Sequence, residues 1–101
     1  MQVEAQKPLD RLIDRFPAGS VTLQEGLDQP TWIVSREHLL ALCKDLRDNP
    51  KTRFDMLLDL CGVDFPDRSD ENGGRFEAVY HLYSMPRGER LRLKVPLTEA
   101  D

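Results

Sequence analysis

Cysteine is scarce in this 101-residue chain: Cys43 and Cys61 are the only two. That is too few for a disulfide framework, and neither a CxxC pair nor a His/Cys metal spacing is present. Reduced, buried thiols are therefore expected. Basic charge is also short: fourteen Lys and Arg against eighteen Asp and Glu leave a formal charge of -4. Such a field repels phosphate backbones and anionic surfaces, so nucleic acid is not an expected partner. No apolar run approaches the roughly 20 residues of a membrane helix, and the start MQVEAQKPLD lacks the basic-then-apolar order of a secretory signal. Direct membrane insertion is not expected. What is present is ordinary for one folded domain: 40% hydrophobic and 32% charged residues, without a repeat or low-complexity tract.

Periodicity gives the element order. Leu9, Leu12, Ile13 and Phe16 recur at helical spacing behind Pro8, and Pro17 and Gly19 end that run. SVTLQ and TWIVS, separated by the turn-like EGLDQP, predict two adjacent antiparallel strands within residues 20–35, with Trp32 and Val34 anchoring the core. Ser35 is the expected N-cap of a second helix, its hydroxyl accepting a backbone N–H, with Leu39, Leu42, Cys43 and Leu46 on the buried stripe. Asn49 and Pro50 stop it.

RFDMLLDLC reads as one strand in which Phe54, Met56, Leu58 and Leu60 alternate with Asp55, Leu57, Asp59 and Cys61. Gly62 marks a bulge or turn where that strand leaves the sheet. The polar stretch PDRSDENGGR predicts a long hairpin loop. Two further strands follow, RFEAVYHLYS and RLRLKVPL, joined at MPRG, where Gly88 can take positive φ. The expected fold is thus α+β, a two-layer sandwich of order α-β-β-α-β-β-β, with a mixed sheet carrying both helices on one face. Residues 1–101 form one domain, ordered over about 8–98.

The opposite sheet face is the candidate functional surface. A three-strand meander places Asp55, Asp59, Glu77, His81, Tyr83, Arg92 and Lys94 there together, interleaved with Leu57 and Val79. Cross-strand charge pairs contribute only about 0.2 to 1 kcal/mol each, so a solvated face accounts for the charges, whereas the apolar residues among them suit a docking surface. Catalysis has one weak candidate, a Cys61 thiol with His81 as base, and the spacing establishes no contact between them. His38 and His81 define no metal template, and Gly73–Gly74 opens no helix and cradles no phosphate.

Three segments in this order, FDMLLDLCGVDFP, RFEAVYHLYSM and RLRLKVPL, resemble the N-terminal half of the C subunit of bacterial NADH-quinone oxidoreductase, the respiratory complex I 30 kDa subunit family. The likeness extends upstream through VTLQEG and TWIVSREHLLALCKDLRD and covers about residues 8–98. The family's acidic and aromatic helix would lie beyond Asp101, so this chain is expected to be the N-terminal domain of a longer one.

The resemblance implies a non-catalytic assembly subunit of the hydrophilic arm, bound chiefly to the D subunit of the same enzyme, peripheral on the cytoplasmic side of the inner membrane. It also implies NADH, FMN, iron-sulfur clusters and quinone for the complex and no cofactor in this chain. Cluster ligation usually takes four thiolates, and two cysteines on separate elements do not supply them. The alternative reading is a small ligand-binding regulatory module of ferredoxin-like type. Its folds begin with a strand and put one helix between the first two, unlike the order expected here.

Overall fold

The computed structural model describes residues 13, 15–24, 28–68 and 74–98. Within them the chain forms β1 (Val21–Gln24), β2 (Thr31–Val34), a 3-10 turn at Arg36–His38, helix α1 (Leu39–Asp48), and three nine-residue strands, β3 (Met56–Asp64), β4 (Phe76–Ser84) and β5 (Glu89–Leu97). One mixed sheet results, with spatial order β1-β2-β5-β4-β3. β1 and β2 make the antiparallel hairpin that SVTLQ and TWIVS predict, β3-β4-β5 make the meander, and the two units join where β2 runs parallel to β5.

The α+β sandwich with a mixed sheet holds. The N-terminal helix expected from Leu9 to Phe16 lies largely outside the described residues; Ile13 and Phe16 pack against the core, and the Phe16 N–H donates to the Ile13 carbonyl at 3.1 Å.

The core explains why α1 sits where it does. Leu42 and Leu46 are one helical turn apart on the inner side of α1, and both are fully buried against Trp32, Val34, Leu82, Leu91 and Leu93. Trp32 is wholly inaccessible, as its place beside Val34 leads one to expect. Leu91, Leu93 and Val95 recur at every second residue of β5 and are buried on one face, and Leu91 and Leu93 join Leu42 and Leu46 of the helix in the core. Beyond Asp48 the chain doubles back: the Thr52 hydroxyl and the Phe54 N–H both donate to the Leu46 carbonyl, at 2.9 Å each, which satisfies a helix-end acceptor and buries Phe54.

Several local expectations are corrected. The Ser35 hydroxyl makes no backbone cap; it pairs with His38 Nδ1 at 2.8 Å, because the helix enters through a 3-10 turn that leaves the imidazole within reach. β3 begins three residues later than RFDMLLDLC suggests and continues through Gly62 to Asp64, paired all the way with β4. Its irregularity is at Leu58 instead. Leu57 pairs with Leu82 and Asp59 with His81, so Leu58 is an extra residue that the partner strand does not match. The MPRG turn is as expected, with Gly88 at φ 64.

Candidate functional site

Pairing register determines which side chains share a face, because residues directly opposite each other point the same way. Leu57, Leu60, Gly62 and Asp64 of β3 stand opposite Leu82, Tyr80, Ala78 and Phe76, on the side that carries α1. Met56, Asp59, Cys61 and Val63 stand opposite Tyr83, His81, Val79 and Glu77, on the far side. Continuing across β5 and β2, one row reads Asp59, His81, Arg92, Thr31, and the next reads Cys61, Val79, Lys94, Ile33.

Six of the seven residues singled out by the sequence thus lie on one face: Asp59, Glu77, His81, Tyr83, Arg92 and Lys94. Asp55 does not join them. It precedes β3, where its Oδ1 accepts from the Met85 N–H at 3.4 Å, and the extra residue at Leu58 puts both it and Leu57 out of step with Asp59.

This face is also less open than its charge suggests. Glu77 and Val79 are buried, and His81, Tyr83, Arg92 and Lys94 are half-buried. Arg92 is drawn toward the β1–β2 loop: its backbone N–H donates to Pro30 O at 3.0 Å and its Nη2 lies 3.4 Å from Asp28 Oδ1. With its amide oxygen turned inward, Gln29 accepts from Arg92 Nε at 3.2 Å and Nη2 at 2.8 Å. Glu77 meets Arg68 Nη2 at 3.7 Å, and the Arg68 guanidinium stacks 3.6 Å over the Phe65 ring. At the far end of β3, Arg75 grips Asp64 with two bonds of 2.8 and 3.1 Å. That grip holds the Asp64 carboxyl below its ordinary range, chiefly through the hydrogen bond. The contribution is therefore present above the usual carboxylate range and disappears as pH falls through the lowered value.

The thiols separate clearly. Cys43 is half-buried against the core, and that burial pushes its thiol above the ordinary value. Cys61, expected to be tucked inside, is exposed, because β3 is the last strand of the sheet. Its cross-strand neighbour is Val79, and His81 stands opposite Asp59, so no base is aligned with it. Titration of the folded protein with a chromogenic disulfide should show one fast thiol and one slow one. Cys61→Ser should remove the fast phase and Cys43→Ser the slow one. Among the described residues no group of three His, Cys, Asp or Glu stands close enough to hold a metal ion, and no helix is long and apolar enough to cross a membrane.

The feature that a charge-based reading misses is β3 itself. Met56, Leu57, Leu58 and Leu60 are 40%, 53%, 45% and 51% exposed, side by side on one edge. α1 covers the other half of the sheet and does not reach them. Beyond Leu60, the small residues Gly62 and Ala78 leave a shallow apolar depression of about 200 Å³ walled by Val63, Phe76 and Leu97. The sequence signal for this surface is the near-continuous apolar run MLLDLC, which is the pattern of a strand covered on both sides.

Residues 32–101 match the family model described as the respiratory-chain NADH dehydrogenase 30 Kd subunit. The C subunit of NADH-quinone oxidoreductase from Hyphomonas neptunium is 36% identical over 85 residues, 84% of this chain and 40% of that protein. Its counterpart from Burkholderia cenocepacia is 45% identical over 76 residues, 73% of this chain and 38% of the relative. The chain thus spans about two fifths of the length of these curated relatives. Among solved structures, a trypsin-resistant fragment of Nqo5 superposes with a TM-score of 0.67 at 21% identity, over 97% of this chain and 74% of the fragment. A chain of an archaeal respiratory membrane complex, the membrane-bound sulfane sulfur reductase, gives a TM-score of 0.68 at 16% identity, over 92% of this chain and 49% of its own. At those identities the two structures show a shared fold.

Proposed function

The chain belongs to the respiratory-chain NADH dehydrogenase 30 kDa subunit family, and from that membership we propose that it is a non-catalytic assembly element of a proton-pumping NADH:quinone oxidoreductase. It docks in the hydrophilic arm, chiefly to the D subunit, on the cytoplasmic side of the membrane. NADH, FMN, iron-sulfur clusters and quinone are handled by neighbouring chains. The observation that carries this reading is the family match over residues 32–101, which runs from β2 through the whole meander.

The chemistry of the chain supports it. Its two thiols lie on different elements, Cys43 on α1 and Cys61 on β3, whereas cluster ligation usually takes four thiolates. Charged groups of the far face are engaged in structural contacts: Arg92 with Asp28 and Gln29, and Glu77 with Arg68. Arg92 and Glu77 thus help hold neighbouring loops to the sheet.

The test is genetic and biochemical. Removing residues 36–97 from the full-length gene should abolish recovery of the hydrophilic arm and the NADH:quinone activity of membranes, and the intact gene should restore both. The purified full-length protein should carry no stoichiometric iron or flavin. An arm that assembles and turns over without these residues, or a purified chain that retains a cofactor, would reject the reading.

A further inference from the structure

β3 is an edge strand by position and an interior strand by composition. In the order β1-β2-β5-β4-β3 it pairs only with β4, so one side of its backbone meets no described strand. Sheets usually protect such a margin with shortness, Lys, Pro or a bulge. The opposite edge, β1, is protected by its length of four residues. β3 has nine residues, no Lys and no Pro, and its bulge at Leu58 sits near one end, leaving Asp59–Asp64 in regular register. On one side of this segment Leu57 and Leu60 stand exposed beside the Gly62 and Ala78 depression; on the other stand Met56 and Cys61.

The charges decide what can cover it. β3 carries Asp59 and Asp64 and no base. Asp64 is engaged by Arg75, whereas the Asp59 carboxylate is folded onto its own strand, accepting from the Leu60 N–H at 2.9 Å. A second copy of β3 laid antiparallel along this edge would put two Asp59 carboxylates on one face of the joined sheet and two Asp64 on the other, with no basic residue from either strand among them, and like charges close across a ladder destabilise it. A strand bearing a cation near Asp59 has no such penalty.

Resting on the reading of this chain as part of a larger assembly, we propose that the Asp59–Asp64 edge accepts an extended segment of a partner polypeptide, which adds a sixth strand to the sheet. That segment is apolar on the side facing Leu57 and Leu60 and carries Lys or Arg across from Asp59. Main-chain hydrogen bonds supply the attachment, and alternate side chains supply the selectivity.

Hydrogen exchange on the full-length protein, alone and within the purified complex, tests this directly. The free-edge amides, every second one of residues 59–64, are expected to exchange at least about tenfold more slowly in the complex, since pairing replaces solvent at that edge, while those turned toward β4 change little. Leu60→Lys and Asp59→Lys should each weaken recovery of the chain with the complex by about tenfold or more, while the melting temperature of the isolated protein stays within a few degrees, both residues being exposed. Leu40→Lys, on the outer side of α1 and 68% exposed, should assemble as the wild type does. Unchanged exchange in a complex that contains the chain overturns the strand addition and leaves the assembly reading intact. Wild-type association of Asp59→Lys overturns the cationic partner. Protection that appears in the isolated protein as its concentration rises assigns the edge to a second copy instead. A chain that never enters the complex defeats both this inference and the reading beneath it.

Discussion

Trp32→Ala is expected to remove a large share of the stability of this domain. Trp32 has no solvent-accessible surface and sits in β2 between Leu23 of β1 and Leu93 of β5, which pair with it on either side. Truncating a buried Trp costs about 3 to 5 kcal/mol, from lost transfer energy plus the cavity left behind. A domain of this size has about 5 to 15 kcal/mol in all. The expected thermal shift is on the order of 20 °C downward.

Trp32→Phe separates packing from polarity. Among the described residues the buried indole N–H meets no hydrogen-bond partner, so replacing the indole with a phenyl ring removes an unsatisfied donor along with some volume. The Phe variant should lose less than half of what the Ala variant loses. Equal losses in the two melting curves would mean that the indole N–H has an unrecognised partner.

Gly74→Ala is the second large effect, and it acts through the backbone. Gly74 has φ 81, and a Cβ placed there would lie 2.5 Å from the Leu97 carbonyl oxygen and 3.0 Å from its carbon. Both neighbours are main chain at the end of β5, so no rotamer change can make room. Left-handed backbone strain on a non-glycine residue and the displacement of that strand end together cost about 2 to 3 kcal/mol. Gly19 supplies the comparison: its φ is 86, yet a Cβ there would meet nothing within 4 Å. Gly19→Ala should therefore show backbone strain alone, about 1 kcal/mol. Denaturant melts of the two variants side by side check the difference; identical midpoints would remove the steric part.

How far the sequence can be read follows from where its periodicity is one-sided. In β5, Leu91, Leu93 and Val95 alternate with Arg90, Arg92 and Lys94, so only one phase buries the apolar set, and the observed strand follows it. Helix α1 is legible for the same reason through Leu42 and Leu46. MLLDL is different. Apolar residues occupy both phases, so the alternation cannot say which side faces α1, and the single extra residue at Leu58 reverses the phase without leaving a mark in composition. Simple alternation therefore puts Asp55 and Leu57 on the wrong face while placing Asp59 correctly. The exposure of Cys61 is hidden for another reason: strand order is a tertiary fact, and a chain entering β3 from the helix gives no local sign that it will become the outermost strand.

The parallel seam between β2 and β5 has a consequence for biosynthesis. Thr31 is aligned with Arg92, roughly sixty positions later, and the neighbour that seals Trp32 is Leu93. Until the last strand has left the ribosome, β2 lacks its second pairing strand and Trp32 its neighbour Leu93, and closing so distant a pair is slow. The nascent chain is therefore most vulnerable to aggregation just before synthesis of this domain ends, and losing β5 from Leu93 onward would leave Trp32 without its cross-strand neighbour.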